Sequence, residues 1–189
     1  MKQKEKCLNS DCRISVKRKL DHLIVVPFEG VDDETRRLFL YFLYNAPDIE
    51  SAHSKSISRD EHGSVFCAMM ESRHYKYCKF CNSNASIEKE LEKGYLSGND
   101  ICLKCKRYVC KKKKPQCQND SETDLDCFLR HIRNSIAHGR VMYDHAGNSI
   151  HIVFEDKNPS GKISARIVCT RADLKWWKQL LSNPKNYGR

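Results

Sequence analysis

The residues best suited to chemistry in this 189-residue chain are Arg133-Asn134-Ser135-Ile136-Ala137-His138-Gly139. An arginine, an amide directly after it and a histidine five positions on can build a metal-free site for cutting RNA. That reaction needs the 2′-hydroxyl deprotonated, the 5′-oxygen leaving group protonated and the charge of the phosphorane stabilised. Histidine, with a reference pKa of about 6.5, serves as acid or base near neutral pH. Arginine stays cationic, and its planar fork matches phosphate oxygens. Asn134 can donate or accept hydrogen bonds that orient His138 or a substrate. A 2′-hydroxyl nucleophile restricts such chemistry to RNA.

The same spacing has a plainer reading. Arg133 and His138 can both be solvated residues at a helix end, with His138 favoured there by the helix dipole. On an ideal helix, five residues at about 100° each leave the two side chains roughly 140° apart. They converge only if the helix stops near His138, as Gly139 suggests, and if they meet at a cleft beyond it. A two-fold dimer would bring two such pairs to one phosphate. His131, on the same stretch, reads more simply as a surface or packing residue.

A second set of reactive residues precedes the first. Cys78-x2-Cys81, a gap of 20 residues and Cys102-x2-Cys105 have the spacing of a four-thiolate zinc site. Such a closed site leaves no position for water, so its expected role is structural and no catalytic metal is expected. Cys110 and Cys117 can replace a member of the quartet, join His74, Cys7 or Cys12 in a second site, or be spare thiols. Cys67, Cys127 and Cys169 fall in helix or strand patterns and read as small core residues. Beside these cysteines Lys104, Lys106, Arg107 and Lys111-Lys112-Lys113-Lys114 form a basic strip, with Tyr108 available for stacking. With Arg130 on the motif stretch, the strip can guide RNA through phosphate contacts. A lysine run is equally often a solvated loop.

The elements that must position these groups follow from periodicity and capping. A helix is expected after Asp32 or Asp33, through Leu38, Phe39, Phe42 and Tyr44, ending before Pro47. A polar loop over 48–62 precedes a second helix over 64–73, and a short helical pattern runs from Ser86 to Lys93, ending at Gly94. Leu125, Phe128, Leu129, Ile132 and Ile136 recur at helical steps. Thr123-x-x-Asp126 is a capping box for that helix, and Gly139 is its stop. Residues 150–154 and 163–168, joined by Lys157-Asn158-Pro159-Ser160-Gly161, predict a β-hairpin, and Thr170-x-x-Asp173 caps a last helix. Leu23 to Phe28 is a short strand or an extended apolar anchor.

These spacings divide the chain into a basic N-terminal segment (1–22), a first helical part (23–73), a cysteine-rich zinc-binding insert (74–118) and a second part (119–189). That second part carries the motif, hairpin and last helix. The insert has few large aliphatics, so a metal is expected to replace a core there.

Arg133-Asn134-x-x-x-His138, on the penultimate helix of a small mainly helical domain, resembles the HEPN signature. His138-Gly139, Val153-Phe154-Glu155-Asp156 and Asp173-Leu174 extend the resemblance, firmly over about residues 120–182. It looks like the HEPN nucleases of bacterial defence and toxin systems. The resemblance implies a mainly α fold: a helical bundle with a C-terminal β-hairpin, here with an inserted four-cysteine zinc module. It implies homodimerisation around the motif and metal-independent endoribonuclease activity, with Arg133 and His138 catalytic and Asn134 in support. The products would be a 2′,3′-cyclic phosphate and a 5′-hydroxyl. The setting it suggests is antiviral defence or toxin-type growth arrest, under an inhibitory or activating protein partner. Inactive and nucleotide-binding family members exist as well.

Composition bounds these readings. Lys and Arg outnumber Asp and Glu by 34 to 24, a formal charge of +10. Four thiolates on one zinc ion would lower it to about +8. A basic protein is drawn to polyanions, RNA foremost. The polar, lysine-rich start has no signal-peptide pattern and no apolar run long enough for a membrane. With eleven cysteines, a cytoplasmic protein with reduced thiols is the expectation. Two competing functions stay open: a non-catalytic zinc protein that binds nucleic acid or a partner through a dimerising HEPN-like part, and a metal-dependent nuclease. The latter is disfavoured by the lack of a compact Asp/Glu/His cluster.

Overall fold

Local capping chemistry sets the helix ends. In the computed structural model, which describes residues 17–19, 24–25, 29–45, 57, 59–71, 73–115, 121–146 and 149–183, α1 spans Asp33–Tyr44. Asp32 caps it by accepting from the Thr35 backbone N–H at 3.1 Å. A 3-10 turn at Arg59–Glu61 leads into α2, His62–Glu71, and α3 runs over Asn84–Lys93 between Ser83 and Gly94 caps. Helix α4, Asp124–Ala137, opens with the Thr123/Asp126 capping box, and α5, Arg171–Ser182, with the Thr170/Asp173 box. Each box satisfies backbone N–H groups that a helix start leaves orphaned. Among the described residues no helix is long and apolar enough to cross a membrane.

The strands overturn the mainly α expectation. Strands β1 (Lys17–Lys19) and β4 (Asp100–Cys102) form a separate antiparallel pair. The others are β2 (Ile24–Val25), β3 (Tyr77–Cys81), β5 (Arg107–Lys111), β6 (Val141–Ala146), β7 (Ser149–Lys157) and β8 (Ile163–Thr170). They make one six-stranded mixed sheet in the order β2-β6-β7-β8-β5-β3, parallel only between β3 and β5. The hairpin is present as β7 and β8, but it is the middle of a sheet rather than an appendage to a bundle. Cysteines and lysines in Tyr77–Cys81 and Arg107–Lys111 conceal the alternation there. Beside Val109, these strands bury the thiols of Cys81 and Cys110 and the ring of Tyr108 where aliphatics are usual.

Helices cover both faces. On one face α1, α2, α4 and α5 pack together, with α4 and α5 against β7 and β8; α3 packs on the other, over β3 and β5. Phe39, Phe42, Phe128, Phe154 and Trp177 are fully buried in the first core, and Ile87, Leu91, Val109, Val153 and Val168 build the second. Each such large side chain contributes about 1.5–3 kcal/mol of burial. The Trp177 indole N–H donates to the Met69 carbonyl at 3.1 Å, joining α5 to α2. The cysteine-rich stretch has a core after all: Tyr108 and Cys110 lie in the first and Cys81 and Val109 in the second. Cys127 and Cys169 are buried as expected, whereas Cys67 is exposed on α2. Cys7, Cys12, Cys117, most of the 48–62 loop, and Leu23 and Val26 to Phe28 lie outside the described residues.

Candidate active site

The end of α4 is built by a Schellman turn. The Arg140 N–H donates to the Ser135 carbonyl at 2.8 Å and the Gly139 N–H to that of Ile136 at 3.1 Å. Gly139 supplies the required left-handed backbone at φ 64°. The turn leaves His138 exposed as the C-cap residue and sends the chain into β6. The Arg140 carbonyl then accepts from the Glu155 N–H of β7 at 3.0 Å, which holds this corner to the sheet.

A cleft of about 630 Å³ opens beside the turn. Its walls bring together Asn134 and His138 of α4, the run Lys111 to Lys114 leaving β5, and Asp156 at the end of β7. Asn134 and His138, 20 residues or more from the lysine run in the chain, therefore share one space with it. Arg133 is half-buried and does not line it; its Nε is buried with no hydrogen-bond partner among the described residues. The separation of Arg133 from His138 is the one that ideal helix geometry requires.

His131 is a buried polar anchor, 1 % exposed, rather than a surface histidine. Its Nδ1 lies 2.7 Å from Asp156 Oδ2 and its Nε2 lies 2.8 Å from the Lys111 carbonyl. Asp156 Oδ2 also accepts from the Asn134 amide at 3.2 Å, which turns the amide oxygen of Asn134 away from the carboxylate. Burial opposes ionisation of Asp156, but the His131 ring, Asn134 and Arg130 outweigh it, so its pKa lies below the ordinary carboxylate value. Neither His131 nor Asp156 stands out by spacing. Their separation of 25 residues is bridged only once β7 lies beside α4.

Arg130 is committed to structure. Its Nε and one terminal nitrogen hold Glu122 at 2.5 and 2.9 Å, and that nitrogen also donates to the Lys111 carbonyl at 2.9 Å. Burial opposes ionisation of Glu122, yet Arg130 and the Lys113 N–H keep its pKa below the usual carboxylate range. The Lys113 N–H donates at 2.7 Å to Glu122, which precedes the α4 cap, so the lysine run is held at the start of α4 as well as through Lys111. Of the run, Lys112 pairs with Asp124 at 2.6 Å and Lys111 reaches Asn84, while Lys113 and Lys114 are exposed at the cleft.

The rest of the basic strip lies elsewhere. Arg107 is 1 % exposed, with its guanidinium on the carbonyls of Gly94, Tyr95, Cys102 and Cys105. Lys106 pairs with Asp173 at 3.0 Å, and Tyr108 is buried among Phe66, Phe80 and Phe128. Lys104 is exposed but does not line the cleft.

The two C-x2-C pairs are not brought to one point. Cys78 and Cys81 sit three apart on β3, and strand alternation turns them to opposite faces. Their neighbours agree: Phe80 packs on the α1/α4 core, whereas Tyr77 and Cys81 belong to the α3 core. Cys102 ends β4 and Cys105 is buried in the loop after it. Among the described residues no three His, Cys, Asp or Glu side chains are grouped to hold a metal ion. As placed, the four thiols do not fit a shared ion.

A family model described as HEPN pEK499 p136 matches residues 22–181. The chain belongs to the HEPN family. The match spans every strand of the six-stranded sheet, so this HEPN chain carries its motif helix on a mixed sheet. No curated protein and no solved structure matches it. Membership carries a nuclease- or toxin-type role in general terms.

Proposed function

We propose that the chain is a metal-independent endoribonuclease whose site is completed by a second copy. The observation that carries this reading is the shared cleft of His138, Asn134 and the Lys111–Lys114 run. His138 at the rim is open to solvent and transfers the proton, at the 2′-hydroxyl or at the 5′-oxygen. Asn134, anchored by Asp156, orients the reacting groups. Lys113 and Lys114 attract the backbone without reading its sequence. Arg133 does not line the cleft of its own chain, and two-fold pairing of α4 ends would let it stabilise the phosphorane across the interface. RNA as substrate, a homodimer and a regulatory protein partner in defence or growth arrest complete the proposal.

The test is incubation of purified protein with mixed RNA in excess EDTA, beside His138→Ala, with circular dichroism to verify the fold. Cleavage by the wild type alone, leaving 2′,3′-cyclic phosphate ends, is expected. Equal cleavage by both would remove His138 from the mechanism. No cleavage by either, with or without Mg2+, would favour a binding role, in which charge reversal at Lys113 and Lys114 matters more than the motif.

A further inference from the structure

Arg140 lines the same cleft as His138, two residues further on, across the left-handed turn at Gly139. Its backbone is pinned on both sides, by Ser135 on α4 and Glu155 on β7. Its half-buried guanidinium makes no ion pair with any described residue. That sets it apart from Arg130 on Glu122, Arg166 on Glu155 and Arg171 on Asp32. The carboxylate in the cleft, Asp156, is already engaged by His131 and Asn134. Lys113 and Lys114, which line the same cleft, also have no carboxylate partner among the described residues.

The cleft therefore presents unneutralised positive charge around His138. A helix C-terminus ordinarily repels an anion, because its last carbonyls point outward. Here the Schellman turn occupies the carbonyls of Ser135 and Ile136, and the His138 N–H occupies that of Asn134 at 2.9 Å. What an anion meets is the guanidinium and the two ammonium groups. A guanidinium donates two parallel hydrogen bonds to phosphate oxygens, which an ammonium cannot.

We propose that Arg140 is the phosphate-binding arginine of this cleft, holding a phosphodiester of an RNA strand against His138 within one copy of the chain. The identity of the ligand as RNA rests on the ribonuclease reading; the binding of phosphate does not. Arg133 keeps its separate place outside this cleft.

The test uses a short fluorescent 2′-O-methyl RNA, which has no free nucleophile, titrated against the full chain at several salt concentrations. Arg140→Ala is expected to weaken binding about tenfold or more and to lower the slope of log affinity against log salt by about one. Arg140→Lys should restore the slope but only part of the affinity. Lys89→Ala, on the exposed face of α3, is the control for loss of one charge and should bind as wild type. Arg140→Gln gives the same reading if the alanine form fails to fold.

Binding by Arg140→Ala and Arg140→Gln equal to that of Lys89→Ala, with an unchanged slope, overturns the proposal. So does a wild type that does not bind the probe. Cleavage of unmodified RNA separates this from the wider reading. Binding through Arg140 without any cleavage refutes the ribonuclease and leaves the phosphate site standing. Cleavage by wild type and Arg140→Ala alike, with equal binding, does the reverse.

Discussion

Replacing Asp156 tests whether its buried contacts hold the cleft together. The carboxylate is 4 % exposed and accepts from His131 at 2.7 Å and from Asn134 at 3.2 Å on one oxygen. Asp156→Ala leaves the buried His131 ring without its carboxylate acceptor. Leaving a buried donor without its acceptor costs about 1–3 kcal/mol. In a chain of this size each kcal/mol moves the melting midpoint by about 2–4 °C, so a fall of roughly 2–12 °C is expected. Asp156→Asn keeps the shape and an acceptor oxygen but loses the charge. Its cost should be about 1–2 kcal/mol, the difference between charge-assisted and neutral hydrogen bonds.

The pH dependence has a definite sign. Because the folded pKa of Asp156 is depressed, its contribution is full above the ordinary carboxylate value of about 3.9 and is lost as pH falls through the folded value. Urea denaturation of wild type and Asp156→Asn across pH 3 to 7 should therefore show the widest gap in stability at the neutral end, closing towards the acid end, with pH limits set at about the carboxylate range. Glu122 and Glu155 are depressed too, but they titrate in both proteins and cancel in the difference. Equal midpoints for wild type and Asp156→Ala would refute the reasoning. A gap that stays constant as pH falls would refute the electrostatic part of it.

Two other perturbations probe the frame of the site. Gly139→Ala forces a Cβ onto a backbone at φ 64°, and should cost about 1–2 kcal/mol in denaturant titrations while displacing His138 and Arg140 together. Zinc analysis of the purified chain tests the four-thiolate reading. With Cys78 and Cys81 on opposite faces of β3, less than one equivalent is expected; a tightly held equivalent lost in Cys81→Ser would mean that β3 leaves its pairing with β5.

The helices and the motif were legible because the interactions that define them span five residues or fewer. Asp32 with Thr35, Thr123 with Asp126, Thr170 with Asp173 and the glycine after His138 all act locally, and each sits where the pattern puts it. The β7–β8 hairpin was legible for the same reason, its turn lying between two apolar runs. The cysteine spacing alone does not fix the structure of 74–118. C-x2-C satisfies a metal knuckle and a strand with thiols on alternate faces equally well, and only pairing decides between them.

By itself, then, the sequence determined where helices begin and end, that Arg133 and His138 diverge by about 140° on one helix, and that the chain is basic. Tertiary structure alone decided the rest. It ran β3 parallel to β5 within the central sheet, set Asp156 against His131, buried Arg107, and brought Arg140 and Lys113 to His138. The physical reason is range. Capping energies are settled within one turn of chain, whereas strand register and the partners of a buried charge depend on which distant segment fills the space beside them.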